Sequence, residues 1–236
     1  MSAQSIAAAS RQCPLPREPD PDCSFCPRLA TFRDSLRAAQ PEWHNAPVPD
    51  FGALDARLLV VGLAPGLRGA NRTGRPFTGD FAGVLLYETL IEFGFAAGAY
   101  GAAMDDGLRL AACAITNAVR CVPPLNKPTS SEIKSCRPFL AATIAALPDL
   151  CAIVALGRIA HESVVRAFGL KPAAFPFAHG AEHVLVAGET AGNRSQPGAE
   201  TITLVDSYHC SRYNTNTGVL TQEMFRAVFA KVRERL

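Results

Sequence analysis

Residues 57–80 read RLLVVGLAPGLRGANRTGRPFTGD, and this stretch decides the fold. Residues 57–62 are a short, continuously apolar, β-branched run that ends in glycine. Such a run reads as a strand buried on both faces, which belongs in a parallel sheet covered by helices. A Gly-rich loop follows to residue 79, and residues 81–93 then read as an amphipathic helix. Working outward, residues 112–117 and 151–157 (CAIVALG) repeat the buried-strand pattern, and 184–187 and 202–206 supply the last strands. Helices are expected over 29–39, 132–146, 159–168 and 221–235, the second opened by the capping residues Thr129-Ser130-Ser131-Glu132. Strands alternating with helices give an α/β class, a three-layer α/β/α sandwich around a central, mainly parallel sheet. Ligands bind such sheets beyond the carboxyl ends of the strands. That rule brings loops 62–80, 117–128 and 206–220 to one edge.

The chain has 236 residues, 48% of them hydrophobic and 19% charged, so it can bury a sizeable core and wholesale disorder is excluded. Lys and Arg number 23 against 21 Asp and Glu. That balance excludes holding a polyanion by bulk charge and demands a local basic patch instead. The longest apolar candidate for a membrane span, at 141–157, is broken by Thr143, Pro148 and Asp149, so no transmembrane helix and no membrane partner are expected. The N-terminus lacks the basic-then-apolar order of a secretory signal. A soluble, monomeric protein of the bacterial cytoplasm or nucleoid is the expectation, with no structural disulfides. Residues 1–20, rich in Pro and Ala, read as a flexible arm, residues 189–200 as a polar surface loop, and residues 21–236 as a single domain.

Eight cysteines in a reducing compartment need a reason. Cys23 and Cys26 form a C-x-x-C pair, and Cys121 and Cys136 a wider one at the edges of Pro-containing segments. A C-x-x-C hairpin presents two thiolates to one centre, and two more from a distant loop complete a four-sulfur set. On the residues alone, zinc and an iron–sulfur cluster are equally served. A redox role is disfavoured because no strand precedes the pair. Cys113 and Cys151, in apolar stretches, read as buried small hydrophobes, and Cys13 as an uninvolved tail residue.

The loop at 62–80 is not a P-loop, for no Gly-Lys-Ser/Thr follows, and its glycine spacing is wrong for a dinucleotide fingerprint. It combines close-approach glycines with Arg68, Arg72, Arg75, Phe77 and Asp80. One reading is a solvated loop that drops Phe77 into the core. The sharper one is a base pocket, with Phe77 as a stacking face, arginines and backbone amides on phosphates, and Asp80 for chemistry. Asn117 ends a strand, where its amide offers a donor and an acceptor to a base edge. His209 stands just past the last strand, with Arg212 and a run of hydroxyl and amide residues that includes Asn216 behind it. His161, His179 and His183 have weaker settings, and His44 reads as surface.

GLAPGLRGANRTGRPFTGD and SYHCSRYNTNTGVLT resemble the two motifs of the uracil-DNA glycosylase superfamily, most closely its family 5, and ITNAVRCVPP and CSFCPRLATFR resemble that family's cluster-bearing stretches. The pieces run in the expected order from about residue 23 to about residue 225. The resemblance implies four parallel strands between helices and a [4Fe–4S] cluster held by Cys23, Cys26, Cys121 and Cys136, with zinc as the alternative. It implies a hydrolase that releases uracil, and other deaminated bases such as hypoxanthine, from DNA. The stretch 62–66 holds no acid or amide, and in family 5 the role of the acid is assigned to the residue matching Asp80. Cys210 stands after His209 where many relatives have Pro, and only packing is expected of it.

The chemistry then assigns roles. A deoxynucleoside bond breaks with positive charge on the sugar and negative charge on the departing base, which must first leave the duplex. Phe77 stacks on the base, Asn117 reads its edge, and Gly62 and Ala64 lend backbone beside it. His209 steadies the leaving anion, and Asp80 orients water or stabilises the sugar cation. Arg68, Arg72, Arg212 and Asn216 contact the DNA backbone, and Val219 or Leu220 wedges into the vacated stack. Two rivals remain. A non-catalytic, metal- or cluster-bearing nucleic-acid module would not need Asp80 and His209 in one pocket, and an electron-transfer protein would not need the arginines.

Overall fold

The computed structural model describes residues 17–186 and 201–236. Cys13, residues 1–16 of the expected arm and the loop at 189–200 lie outside the described residues. In chain order the elements are α1 (Pro27–Ala39), β1 (Phe51–Gly52), β2 (Leu58–Gly62), α2 (Ala70–Thr73), α3 (Phe81–Glu92), β3 (Ala96–Ala97), β4 (Arg109–Leu110), β5 (Cys113–Asn117), α4 (Ser130–Ala145), β6 (Ala152–Leu156), α5 (Arg158–Ala167), β7 (Glu182–Val186), β8 (Thr201–Ser207), α6 (Arg212–Asn216) and α7 (Gln222–Arg235).

The main sheet has the order β1-β5-β2-β6-β8-β7. The four inner strands are parallel, with Val60 opposite both Ile115 and Val154, and Val154 opposite Val205. Every residue of β2, β5 and β6 is buried, as an unbroken apolar run demands when helices cover both faces. Successive side chains alternate between faces. Leu58, Val60, Ile115, Val154 and Val205 pack with Leu86 and Leu90 of α3 and with Phe225 and Phe229 of α7. Leu59, Val61, Ile153, Ala155 and Leu204 pack with Leu140 of α4 and with Val164 and Val165 of α5. The four expected parallel strands are the centre of this sheet. The antiparallel strands β1 and β7 extend it at either edge.

Some expectations need correction. The helix at 81–93 is one-sided as read, with Ala82, Gly83, Leu85, Leu86, Tyr87, Thr89 and Leu90 buried against the sheet and α7, but its exposed stripe carries the apolar Phe81 and Val84 beside Glu88 and Glu92. Cys151 is only half-buried at the entrance to β6, where its Sγ lies 3.2 Å from the Asp149 carbonyl. Leu220 is in the core at 1% exposure, so it has no free side chain to insert anywhere. The capping box of α4 forms as read, with the Thr129 amide donating to Oε2 of Glu132 (2.7 Å) and the Glu132 amide to Oγ1 of Thr129 (3.3 Å). Residues 17–20, read as the end of the arm, are held down by Glu18, which accepts from the Asp50 amide (3.1 Å) and pairs with Arg120 (3.3 Å).

Arg75 departs furthest from its sequence reading. It is not a phosphate contact. Its guanidinium is buried and forks onto Asp106 (2.8 and 2.6 Å) while Nε donates to Oγ1 of Thr78 (2.7 Å). It lies 5.2 Å from the Phe51 ring centroid and 5.4 Å from that of Tyr87. Hydrogen bonding from Arg75 holds the Asp106 carboxyl well below the usual carboxylate range. The carboxylate side of this contribution is therefore complete above the ordinary Asp titration near about 3.9 and fades only as pH falls through the depressed value. Truncating one partner of such a buried pair strands the other charge. Arg75→Ala is expected to cost roughly 3–5 kcal/mol of unfolding free energy at neutral pH, measured by urea denaturation.

Candidate active site

Strands β2, β5 and β8 deliver their carboxyl ends to one edge of the sheet, where a cavity of about 330 Å³ opens. Its lining includes Ala64, Phe77, Asp80, Asn117, His209 and Arg212. All three loops expected at this edge contribute, and the size lies at the small end of ligand pockets. The walls are mostly apolar, with a few convergent polar groups.

Gly62, the last residue of β2, explains why these side chains meet. A β-carbon on Gly62 would lie 2.4 Å from Oδ1 of Asn117 and 2.6 Å from Cζ of Phe77. Its bare Cα is the floor on which both side chains rest. Phe77 takes a left-handed backbone conformation (φ 53°), unusual for an aromatic residue. Its neighbours hold it there. The Tyr87 hydroxyl donates to the Pro76 carbonyl (2.5 Å), and the Tyr100 hydroxyl donates to the Phe77 carbonyl (3.1 Å) while accepting from the Gly79 amide (3.2 Å). Asn117 is buried at 3% exposure, and its side-chain amide makes no hydrogen bond among the described residues. A buried amide facing a cavity without partners is a group prepared for a ligand.

Asp80 caps α3, accepting from the Gly83 amide at Oδ1 (3.2 Å). Its Oδ2 occupies the space left by Gly69, where a β-carbon would come within 2.4 Å. Burial raises its carboxyl above the ordinary value and outweighs the opposing amides of Gly83 and Ala82. His209, two residues past β8, is half-buried, and burial pulls its imidazole down to about 4. It is therefore a neutral donor at physiological pH. Its ring lies 6.0 Å from that of Phe77, inclined by 29°. Asn214 holds the His209 carbonyl (2.8 Å) from within α6, whose N-cap is Ser211.

Arg212 is exposed on the cavity wall, 5.3 Å from the Phe81 ring centroid. Arg68 and Arg72 are exposed on the 62–80 loop, with Nε of Arg72 donating to the Arg68 carbonyl (2.9 Å), and neither lines the cavity. Asn216 is exposed at the end of α6, away from the lining, and Val219 is exposed beyond it. Cys210 is fully buried with Sγ 3.5 Å from the Ala82 carbonyl, a packing role as expected. Sequence reading missed the lining residues Pro65, Ala70, Asn126 and Ser211. Only Ser211 carried a signal, as a capping serine three residues before Asn214.

The structure also gathers Cys23, Cys26, Cys121 and Cys136 around one small hollow, with Phe25, Leu29, Val119, Arg120 and Phe139. Burial pushes the Cys121 thiol up to about 12 and that of Cys136 up to about 11, so thiolates there require a cation. The Arg120 amide already donates to Sγ of Cys136 (3.3 Å), and the buried Arg33 donates to the Cys23 carbonyl (2.9 Å). The donor set thus fits a soft metal centre. Four thiolates on zinc would sit about 3.8 Å apart. All four thiols are free and share that hollow.

The sequence model of the Uracil DNA glycosylase superfamily matches residues 49–233. The chain belongs to this superfamily. It is 44% identical over 217 residues to the type-5 uracil-DNA glycosylase of Thermus thermophilus, covering 89% of this chain and 92% of that one. It is 37% identical over 214 residues to the type-5 enzyme of Pyrobaculum aerophilum (89% and 87% covered) and 38% identical over 221 residues to that of Mycobacterium bovis (90% and 77%). The chain groups with these type-5 members.

Gly62→Ala tests the convergence directly. The added methyl displaces Asn117 and Phe77 together. A misplacement of about 1 Å costs on the order of 100-fold in rate. Base release is expected to fall by about that factor, with circular dichroism and affinity for undamaged DNA unchanged.

Proposed function

We propose that the chain is a monofunctional DNA glycosylase acting as a monomer. It takes an extruded uracil into the cavity at the carboxyl ends of β2, β5 and β8, hydrolyses the N-glycosidic bond and leaves an abasic site. The observation that carries this reading is the shared cavity: Phe77 and Asp80 from the 62–80 loop, Asn117 from the end of β5 and His209 from beyond β8 all line it. A non-catalytic binding module has no use for a desolvated acid and a neutral histidine lining one base-sized hollow.

In this reading Phe77 stacks on the base and the unpartnered amide of Asn117 satisfies its polar edge. As the bond lengthens, negative charge builds on the base, and the neutral His209 donates an N–H to a carbonyl oxygen of the base. A neutral donor serves here as well as a cation without the cost of burying charge. Asp80, once ionised, faces the sugar, where it orients the attacking water and stabilises the cation. Arg212, Arg68 and Arg72 hold phosphates around the cavity mouth, Asn216 adds a polar contact, and Val219 lies where a side chain can enter the vacated stack. One amide and one histidine make a sparse code, so hypoxanthine is accepted beside uracil. No helix among the described residues is long and apolar enough to cross a membrane. The compartment that holds the cell's DNA, the bacterial cytoplasm and nucleoid, is the expected place of action.

We assign Cys23, Cys26, Cys121 and Cys136 to a [4Fe–4S] cluster rather than zinc, on the four free thiols that share one hollow and on the resemblance of their stretches to the family's cluster-bearing segments. When bound, the cluster supplies a rigid four-point anchor and no electron transfer, because hydrolysis moves no electrons. The protein's part is to fix the residues before α1 to the 121–136 segment. Cys121→Ser is expected to lower iron content, visible absorption and solubility together; full iron content in that variant removes Cys121 from the ligand set.

Single-turnover release from a panel of uracil-, hypoxanthine- and thymine-containing oligonucleotides tests the activity. Asp80→Asn is expected to slow release by about 100-fold or more while leaving DNA binding intact. The sign of the pH dependence follows from Asp80 acting ionised with a raised titration point. Release falls as pH drops through a limb above the ordinary carboxylate value of 3.8, and Asp80→Asn flattens that limb. No inflection at the unperturbed histidine value of 6.5 is expected from His209, which stays neutral down to about 4.

A further inference from the structure

Behind the sheet, on the side of α5, lies a second cluster of chemically able side chains that base release does not use. Asp206 of β8 is fully buried, and its partners are two histidines. His161 of α5 places Nδ1 2.7 Å from one carboxylate oxygen, and His183 of β7 places Nε2 3.3 Å from the other. No Arg or Lys pairs with this carboxylate among the described residues. If Nε2 of His161 donates to the Phe175 carbonyl, Nδ1 and a carboxylate oxygen of Asp206, two acceptors, face each other at 2.7 Å. A positive species, a proton or a metal ion, belongs between them.

We propose that His161, His183 and Asp206 form a binding site for one divalent transition-metal ion of the zinc class, separate from the cysteines and from the base cavity. Five observations carry it. The three donor atoms lie within 4.8 Å of one another. Ligands at about 2.0–2.1 Å from a tetrahedral ion sit about 3.3 Å apart. The His183–Asp206 spacing already matches at 3.3 Å, and the His161–Asp206 spacing of 2.7 Å must open by only a few tenths of an ångström. The other ring nitrogen of His161 faces the Phe175 carbonyl at 2.8 Å. That backbone contact fixes the tautomer that leaves Nδ1 free for a metal, as outer partners of ligating histidines do. Aromatic rings wall the group, with Phe177 5.7 Å from the His161 ring and Phe175 5.8 Å from that of His183. His183, at 12% side-chain exposure, provides the entry path and an open coordination position for water.

The donor set decides the class of ion. Two imidazoles and one carboxylate suit zinc and its neighbours, whereas calcium and magnesium require mainly oxygen. Its place in the fold decides the effect. The ion ties α5 and β7 to β8 three residues before His209, so it stiffens the strand end that presents the histidine without touching the base.

The test is calorimetric titration of Zn2+ into the untagged, cluster-bearing full chain, with iron measured before and after. One saturable equivalent in the micromolar range or tighter is expected, weakened at least about tenfold in His183→Ala. No saturable binding, or equal binding by the variant, overturns the proposal. So does zinc uptake that matches loss of iron, which places the ion at the cysteines. Zinc-edge X-ray absorption on the wild-type chain decides without any variant. A first shell of nitrogen and oxygen at about 2.0–2.1 Å supports the site, and sulfur at about 2.3 Å overturns it. These outcomes are independent of whether the protein releases uracil.

Discussion

The site depends on the absence of a single carbon atom. Three parallel strands end at one level, which brings their loops close but does not make side chains converge. Convergence happens at Gly62, where Asn117 and Phe77 come so near the backbone that no other residue leaves them room. The same backbone is locked to the next strand's exit, since the Ala118 amide donates to the Gly62 carbonyl (2.9 Å) and the Val119 amide to that of Leu63 (2.9 Å). Phe77 and Asn117 therefore rest on backbone, and the precision of their placement is inherited from the sheet rather than from mobile side chains.

Around that floor the protein spends stability on geometry. Phe77 sits in a backbone region that costs on the order of 1–3 kcal/mol for a bulky residue. Asp80 loses much of its hydration, and His209 is held neutral. Each penalty is confined to the residues facing the cavity. The compensation lies one layer back, in the Arg75–Asp106 fork, the stacked Tyr87 and Tyr100 rings (4.7 Å) and the hydroxyls that tie the loop carbonyls. A loop that reads as open, arginine-rich and glycine-rich is in fact braced from beneath, and its basic character toward solvent reduces to Arg68 and Arg72.

What could be read in the sequence followed from local chemistry. The parallel strands showed as unbroken apolar runs, the cap of α4 as its own motif, and Asn117 and His209 as polar residues at strand ends. What could not be read depends on partners far along the chain. Arg75 looks like any loop arginine until Asp106, 31 residues on, is known to face it. The two-residue strand β1 is too short to show a period, and β7 is legible only from residue 184 because its first residues, Glu182 and His183, are polar on a half-exposed edge. His161, His183 and Asp206 lie on three elements, and their meeting is a property of sheet order alone. The solvent face of α3 is weakly marked for a related reason: Phe81 and Val84 stand exposed on it, and Arg212, far along the chain, packs over the Phe81 ring.

The cysteines have a physical place in the same scheme. Asn117 and Cys121 are four residues apart on one segment. Its near end is the pocket wall, and its middle is tied to Gly62 and Leu63 through backbone hydrogen bonds. Arg120 anchors it from the side, with the guanidinium paired to Asp50 (2.5 Å) and bonded to Thr143 of α4 (2.8 Å). Its far end enters the hollow shared with Cys23, Cys26 and Cys136. A hydrolase has no need of a redox centre, but the proposed base contact needs Asn117 to stay still. A cluster holding Cys121 to the three other thiols would remove the hinge freedom of that short segment at its far end. A centre that never touches the substrate would thereby set how well Asn117 is positioned.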